Sequence, residues 1–156
     1  MKIHKLLFLF VFIGLMSASV LAQSSANVVK VSPASVKVKK GGTAAATVTL
    51  DIDSGYHINS NRPSEAYLIA TVLKIQPQGG VTPGAVVYPK AKLQKFSFSP
   101  KPLSVFEGHA VLKFNVRAGA AASSQTLKGK LTIQACNDQQ CLRPQTVDVN
   151  IPVEVN

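Results

Sequence analysis

Cys136 and Cys141 are the only two cysteines in the 156-residue chain, and four residues stand between them. The stretch that holds them, Ala135-Cys136-Asn137-Asp138-Gln139-Gln140-Cys141-Leu142-Arg143-Pro144, is polar and lies between segments patterned as strands. Such a pair supports three kinds of chemistry. A disulfide can brace a bend, a disulfide can exchange with a partner's thiols, or two thiolates can hold a metal with help from histidine. Closing so short a loop stabilises by roughly 2 kcal/mol, against about 4.7 kcal/mol for a loop of 100 residues. A fold that needs a staple gains more by joining distant strands. A short disulfide in a polar turn is also open to an attacking thiolate, which exchange requires. Asp138 disfavours a thiolate and Arg143 favours one. For a metal, the candidates beside the cysteines are His57 and His109, both remote in sequence, and the spacing is no metal-ligand signature. Patterning reads His57 as a loop residue and His109 as a surface residue at a strand end. Bracing and exchange both stay open on the residues alone.

The compartment bears on that choice. Lys2 and Lys5 precede an apolar run from Leu6 to Met16, and Ser17-Ala18-Ser19-Val20-Leu21-Ala22 supplies small residues for cleavage ahead of Gln23. This is the pattern of a secretory signal over residues 1–22. The run is shorter than the roughly 20 residues a membrane helix needs, and no cysteine stands at the cleavage point to take a lipid. The expectation is an extracytoplasmic domain, 23–156, with no stable membrane anchor, in a compartment where disulfides form.

The elements that must position the cysteines read as strands. Val36 and Val38 alternate with lysines, and Gly41-Gly42 turns the chain. Thr43 to Asp53 then places Ala44, Ala46, Val48, Leu50 and Ile52 on one face, the period of a half-buried strand. Val28 to Val31, Tyr67 to Ile75, Val86 to Tyr88, His109 to Val116, Thr126 to Ala135 and Gln145 to Val155 read as further strands. Tyr56 to Pro63 and Lys90 to Pro102 read as loops; in the second, Phe96 and Phe98 flank Ser97 and share a face if extended. No segment shows sustained helical periodicity. Seven to nine short strands with Gly/Pro turns predict an all-β, antiparallel sandwich of immunoglobulin-like architecture, with a small barrel as the other option.

Composition excludes several functions. The chain carries 17 basic and 7 acidic residues, but the lysines are scattered rather than striped with aromatics as nucleic-acid binding asks. They read as guards of exposed sheet edges. No nucleophile elbow, phosphate loop or paired-carboxylate motif is present, so hydrolysis is not expected.

Four segments in order resemble the N-terminal periplasmic domain of the thiol:disulfide interchange protein DsbD. They are Gly55-Tyr56-His57-Ile58-Asn59, Lys95-Phe96-Ser97-Phe98, Val105-Phe106-Glu107-Gly108 and the cysteine stretch from Gln134 to Pro144. The resemblance implies an immunoglobulin-like sandwich with a redox hairpin and no cofactor or metal. It implies an electron-carrier type of thiol:disulfide oxidoreductase, in which Cys141 forms the mixed disulfide and Cys136 resolves it. Phe98, with Phe96 second, would cap the pair, and Tyr56 would belong to the surroundings. Implied partners are thioredoxin-like proteins and a membrane electron relay. Substrates would be periplasmic disulfide isomerases or cytochrome c maturation factors. The cysteines here have four residues between them where the best-known members have five. The sequence carries no membrane relay of its own, so a separate relay protein is expected. The alternative is a secreted immunoglobulin-like binding module whose short disulfide is structural.

Overall fold

The computed structural model of the chain describes residues 23–156. The expected signal, 1–22, lies outside the described residues. Among these no α-helix forms, and no helix is long and apolar enough to cross a membrane. After a single 3-10 turn at Ser25–Asn27 come twelve strands: β1 (Val29–Pro33), β2 (Val36–Val38), β3 (Thr43–Ile52), β4 (His57–Asn59), β5 (Val72–Ile75), β6 (Val81–Pro83), β7 (Lys92–Gln94), β8 (Leu103–Phe106), β9 (His109–Ala118), β10 (Gln125–Ile133), β11 (Ala135–Cys136) and β12 (Gln145–Val155).

The long strands form where apolar and polar residues alternate. β3 pairs antiparallel with β9 along its whole length, and the buried residues Val48, Leu50, Leu112 and Val116 come from one face of that ladder. β10 and β12 pair likewise from Gln125↔Val153 to Ile133↔Gln145 and bury Leu127, Leu131, Ile133, Val149 and Ile151. These two ladders anchor two four-stranded sheets, β1-β3-β9-β6 and β2-β12-β10-β5, whose inner faces share one apolar core. The architecture is the expected immunoglobulin-like sandwich. Among the described residues every pairing between strands is antiparallel except β2 on β12, which is parallel.

A third sheet, β11-β4-β8-β7, carries the cysteine stretch. It has two apolar faces. Ile58, its cross-strand partner Phe106 and Ala135 join the main core, while Val105 and Leu103 join a separate cluster with Leu68 and Phe96. Successive strand residues point to opposite faces, so one small sheet separates the sandwich core from the cluster around the cysteines.

Several expectations are corrected. His57 is not in a loop: β4 spans it, and all three residues of that strand are buried. Only Val72–Ile75 of the expected strand from Tyr67 is extended, because the Ile69 carbonyl accepts from the Asn59 side-chain amide and the Ile69 N–H donates to the Gln134 side-chain oxygen, which draws Ile69 out of any ladder, and Tyr67 is left 64% exposed. Val86 to Tyr88 makes a single bridge, Val87↔Lys113, and the expected loop from Lys90 to Pro102 contains β7. Lys37 and Lys92 do sit on edge strands, but Lys128 and Lys130 lie on the outer face of the central strand β10.

Candidate functional site

Cys136 and Cys141 are joined as a disulfide. They face each other across a hairpin that leaves the end of β11. Its tip closes because the Asn137 N–H donates to the Gln140 carbonyl at 2.9 Å, while the Asn137 side-chain oxygen accepts the N–H groups of Gln139 and Gln140. Asparagine is suited to that place, since its side chain can mimic a backbone turn. Below the disulfide, the Leu142 N–H donates to the Ala135 carbonyl at 2.7 Å, and Leu142 is buried in the main core.

Ser25, which sequence reading passed over, grips both sides of the hairpin stem. Its buried hydroxyl accepts from the Ala135 N–H at 2.9 Å and donates to the Arg143 carbonyl at 2.8 Å. The two strands entering and leaving the cysteine turn are thus held by one side chain from the N-terminal segment.

The two sulfurs are placed unequally. Cys136 is fully buried (0% exposed), whereas Cys141 is partly exposed and packs on the cluster of Leu68, Phe96, Leu103 and Val105. Phe98 packs on the same cluster. Phe96 and Phe98 do share a side, but not through an extended backbone: the Ser99 N–H donates to the Phe96 carbonyl in a tight turn, and the rings stack at 5.5 Å. Phe96 is buried and Phe98 only partly so. The turn is fastened to the cysteine hairpin by Ser97, whose hydroxyl donates to the Asp138 carbonyl at 2.7 Å. At its far end Lys95 Nζ donates to the Ser99 carbonyl at 2.8 Å and also to that of Pro100.

His57 joins this site, an arrangement patterning did not reveal. Its ring stacks on Phe96 with centroids 3.9 Å apart, and it stands opposite Cys136 across the β4–β11 pair. Burial pushes its pKa below the ordinary value, against the opposing influence of the carboxylates of Glu107 and Asp138. The turn at Asp53 to Tyr56 delivers it: the Tyr56 N–H donates to the Asp53 carbonyl, and Gly55 takes a φ of 80°, the left-handed position a type II turn requires. Tyr56 itself packs against the main core, with its hydroxyl 3.4 Å from Gln23 Oε1. Tyr56, His57, Phe96 and Asp138 together line an open groove of ≈ 500 Å³.

His109, by contrast, is an exposed residue at the start of β9, with Nδ1 2.7 Å from an Asp51 carboxylate oxygen. Among the described residues no three His, Cys, Asp or Glu side chains converge as a metal cluster.

The arrangement can support one-sided sulfur chemistry. Cys141 is the partly exposed cysteine of the pair, and Cys136 is buried in the sheet. The sequence matches the family described as thiol:disulfide interchange protein DsbD, N-terminal, over residues 25–152. The structure is similar to the N-terminal domain of DsbD from Neisseria meningitidis in its reduced form, with 21% identity and a TM-score of 0.47 over 69% of this chain and 76% of that one. It is also similar to the N-terminal periplasmic domain of ScsB from Proteus mirabilis, with 12% identity and a TM-score of 0.53 over 81% of this chain and 45% of that one. At 12% identity the likeness to the ScsB domain is one of fold. No curated protein matches the sequence.

Proposed function

The chain belongs to the family of DsbD N-terminal domains, and we propose that it is an extracytoplasmic thiol–disulfide exchange protein working through Cys136 and Cys141. The observation that carries this is the disulfide's setting: one cysteine buried, the other partly exposed on the same apolar cluster as an aromatic turn that is tied to its hairpin. Energetics supports it. So short a disulfide stabilises by roughly 2 kcal/mol, which is about what burying one of the many leucines of the core contributes. The sandwich therefore has little need of the bond as a brace.

In the reducing half-cycle, a partner thiolate attacks Cys141 Sγ, the Cys136 sulfur leaves and takes a proton, and a mixed disulfide forms. The partner's second thiol then displaces Cys141, so that the partner leaves oxidised and the domain holds two thiols. In the other half-cycle, the Cys141 thiolate attacks a substrate disulfide, and Cys136 resolves the mixed disulfide to release a reduced substrate. Two electrons and two protons pass in each direction. The donor we propose is a thioredoxin-like protein coupled to a separate membrane electron relay. The acceptors are periplasmic disulfide isomerases or cytochrome c maturation factors. Residues 1–22 would be removed on export, and sequencing the N-terminus of the exported protein should then begin at Gln23.

Trapping tests the reading. Cys136→Ser should accumulate mixed disulfides through Cys141, while Cys141→Ser should accumulate none. Failure of both variants to trap any partner, together with a reduction potential below about −300 mV, would identify a structural disulfide instead.

A further inference from the structure

The face of β4 that looks toward the cysteine hairpin carries a group that the exchange cycle has not yet used. His57 is 2% exposed, and its Nε2 has no hydrogen-bond partner. A buried polar atom left unpaired costs about 1–3 kcal/mol. Its stacking partner, Phe96, has no polar atom to offer. What stands opposite it is sulfur: His57 and Cys136 are cross-strand partners in the β4–β11 pair. Residues so paired send their side chains to the same face, with Cβ atoms about 4.5–5.5 Å apart. That separation lets an imidazole nitrogen meet a thiol on the opposite strand.

The charged and titratable groups around the ring come from four directions. Asp53 and Tyr56 precede it in the turn that enters β4, Glu107 comes from the turn after β8, Asp138 from the hairpin tip, and Cys136 from β11. Glu107 is paired with Lys92 Nζ at 3.4 Å. Burial outweighs the two carboxylates and holds the imidazole's pKa below 6.5, so the ring is neutral, and able to accept a proton, at neutral pH.

We propose that His57 is the proton acceptor for the Cys136 thiol. The inference rests on the exchange reading. When a substrate sulfur is joined to Cys141, the Cys136 Sγ–H proton passes to the free nitrogen of His57. The electron pair left on Cys136 forms the bond to Cys141 Sγ, the bond from Cys141 to the substrate sulfur breaks, and that sulfur leaves as a thiolate. The leaving thiolate takes the proton from the imidazolium, which restores the neutral ring. A buried thiol otherwise ionises poorly, because desolvation disfavours its anion.

The test uses the reduced protein and the aromatic disulfide 5,5′-dithiobis(2-nitrobenzoate), followed by stopped flow. Attack by Cys141 releases the first thionitrobenzoate, and resolution by Cys136 releases the second. In His57→Gln and in His57→Phe, which keeps an aromatic ring against Phe96, the second release should slow by about 100-fold, while the first stays within about twofold. In the wild type the second rate should fall as pH drops below the His57 pKa; in both variants that inflection should vanish. An unchanged second release in folded variants overturns the inference and leaves the exchange reading standing. Absence of both releases in the wild type overturns the two together. If the variants do not fold, histidine-resolved NMR titration of the wild type decides. The His57 pKa should differ between the disulfide and dithiol forms, and an identical titration in both forms overturns the inference.

Discussion

The hydroxyl of Ser97 donates to the backbone carbonyl of Asp138 at 2.7 Å, so the turn that carries both phenylalanines is tied to the tip of the hairpin that carries both cysteines. If the aromatic turn caps Cys141 as proposed, this bond and the ring packing are what hold the cap in place.

Removing that bond should loosen the turn without disturbing the sandwich. An exposed neutral hydrogen bond is worth about 0.5–1.5 kcal/mol net. Ser97→Ala should therefore speed alkylation of Cys141 in the reduced protein by roughly two- to tenfold. The denaturation midpoint should fall by no more than the few degrees such a loss produces. Alkylation rates with iodoacetamide, measured beside thermal melts, check both halves.

Phe96 and Phe98 should separate by effect. Phe96 is buried and stacks on both the His57 ring and Phe98, and Phe98 is only partly buried, on the same cluster as Cys141. Truncating a buried phenylalanine costs about 3–5 kcal/mol, so Phe96→Ala should lower stability by an amount of that order. Phe98→Ala should cost clearly less and should raise the reactivity of Cys141 more than Ser97→Ala does. Urea denaturation and alkylation of the same two variants give the comparison. Equal stability losses with no gain in reactivity for Phe98→Ala would count against Phe98 as the cap.

Ser25→Ala removes the clamp on the hairpin stem. The Ala135 N–H loses its buried acceptor, and the penalty for such a group is about 1–3 kcal/mol. The loss should appear in the denaturation midpoint. It should also appear as faster amide hydrogen exchange at Ala135 and Leu142, whose N–H groups lie on either side of the disulfide.

Stability should fall as the solution is acidified through the histidine range. The folded state holds His57 with a pKa below 6.5, so between that lowered value and 6.5 the unfolded chain binds more protons than the folded one. Stability then rises with pH across this window. The His57 contribution is fully present above 6.5 and is lost as pH falls toward the lowered value. Chemical denaturation at a series of pH values, in the wild type and in His57→Phe, isolates it: the variant should lack this part of the slope.

Much of this protein is determined locally. Alternation in Thr43–Ile52, His109–Ala118, Gln125–Ile133 and Gln145–Val155 assigns each residue to the core or to solvent, because a strand buried on one face needs a period of two. The short spacing of Cys136 and Cys141 made a local disulfide legible for the same reason. Other parts were decided only by tertiary packing. β4 has no solvent-exposed face, since it lies between the main core and the cysteine cluster, and a three-residue buried strand containing His57 and Asn59 reads as a loop. The segment from Tyr67 to Thr71 is apolar enough for a strand, but the side chains of Asn59 and Gln134 take up the main-chain groups of Ile69. Ser25 lies 110 residues before Ala135 in sequence and holds it by a single hydroxyl. Pattern reports on neighbours along the chain; the pairing of His57 with Cys136, and the unequal burial of the two sulfurs, arise from contacts between residues far apart in it.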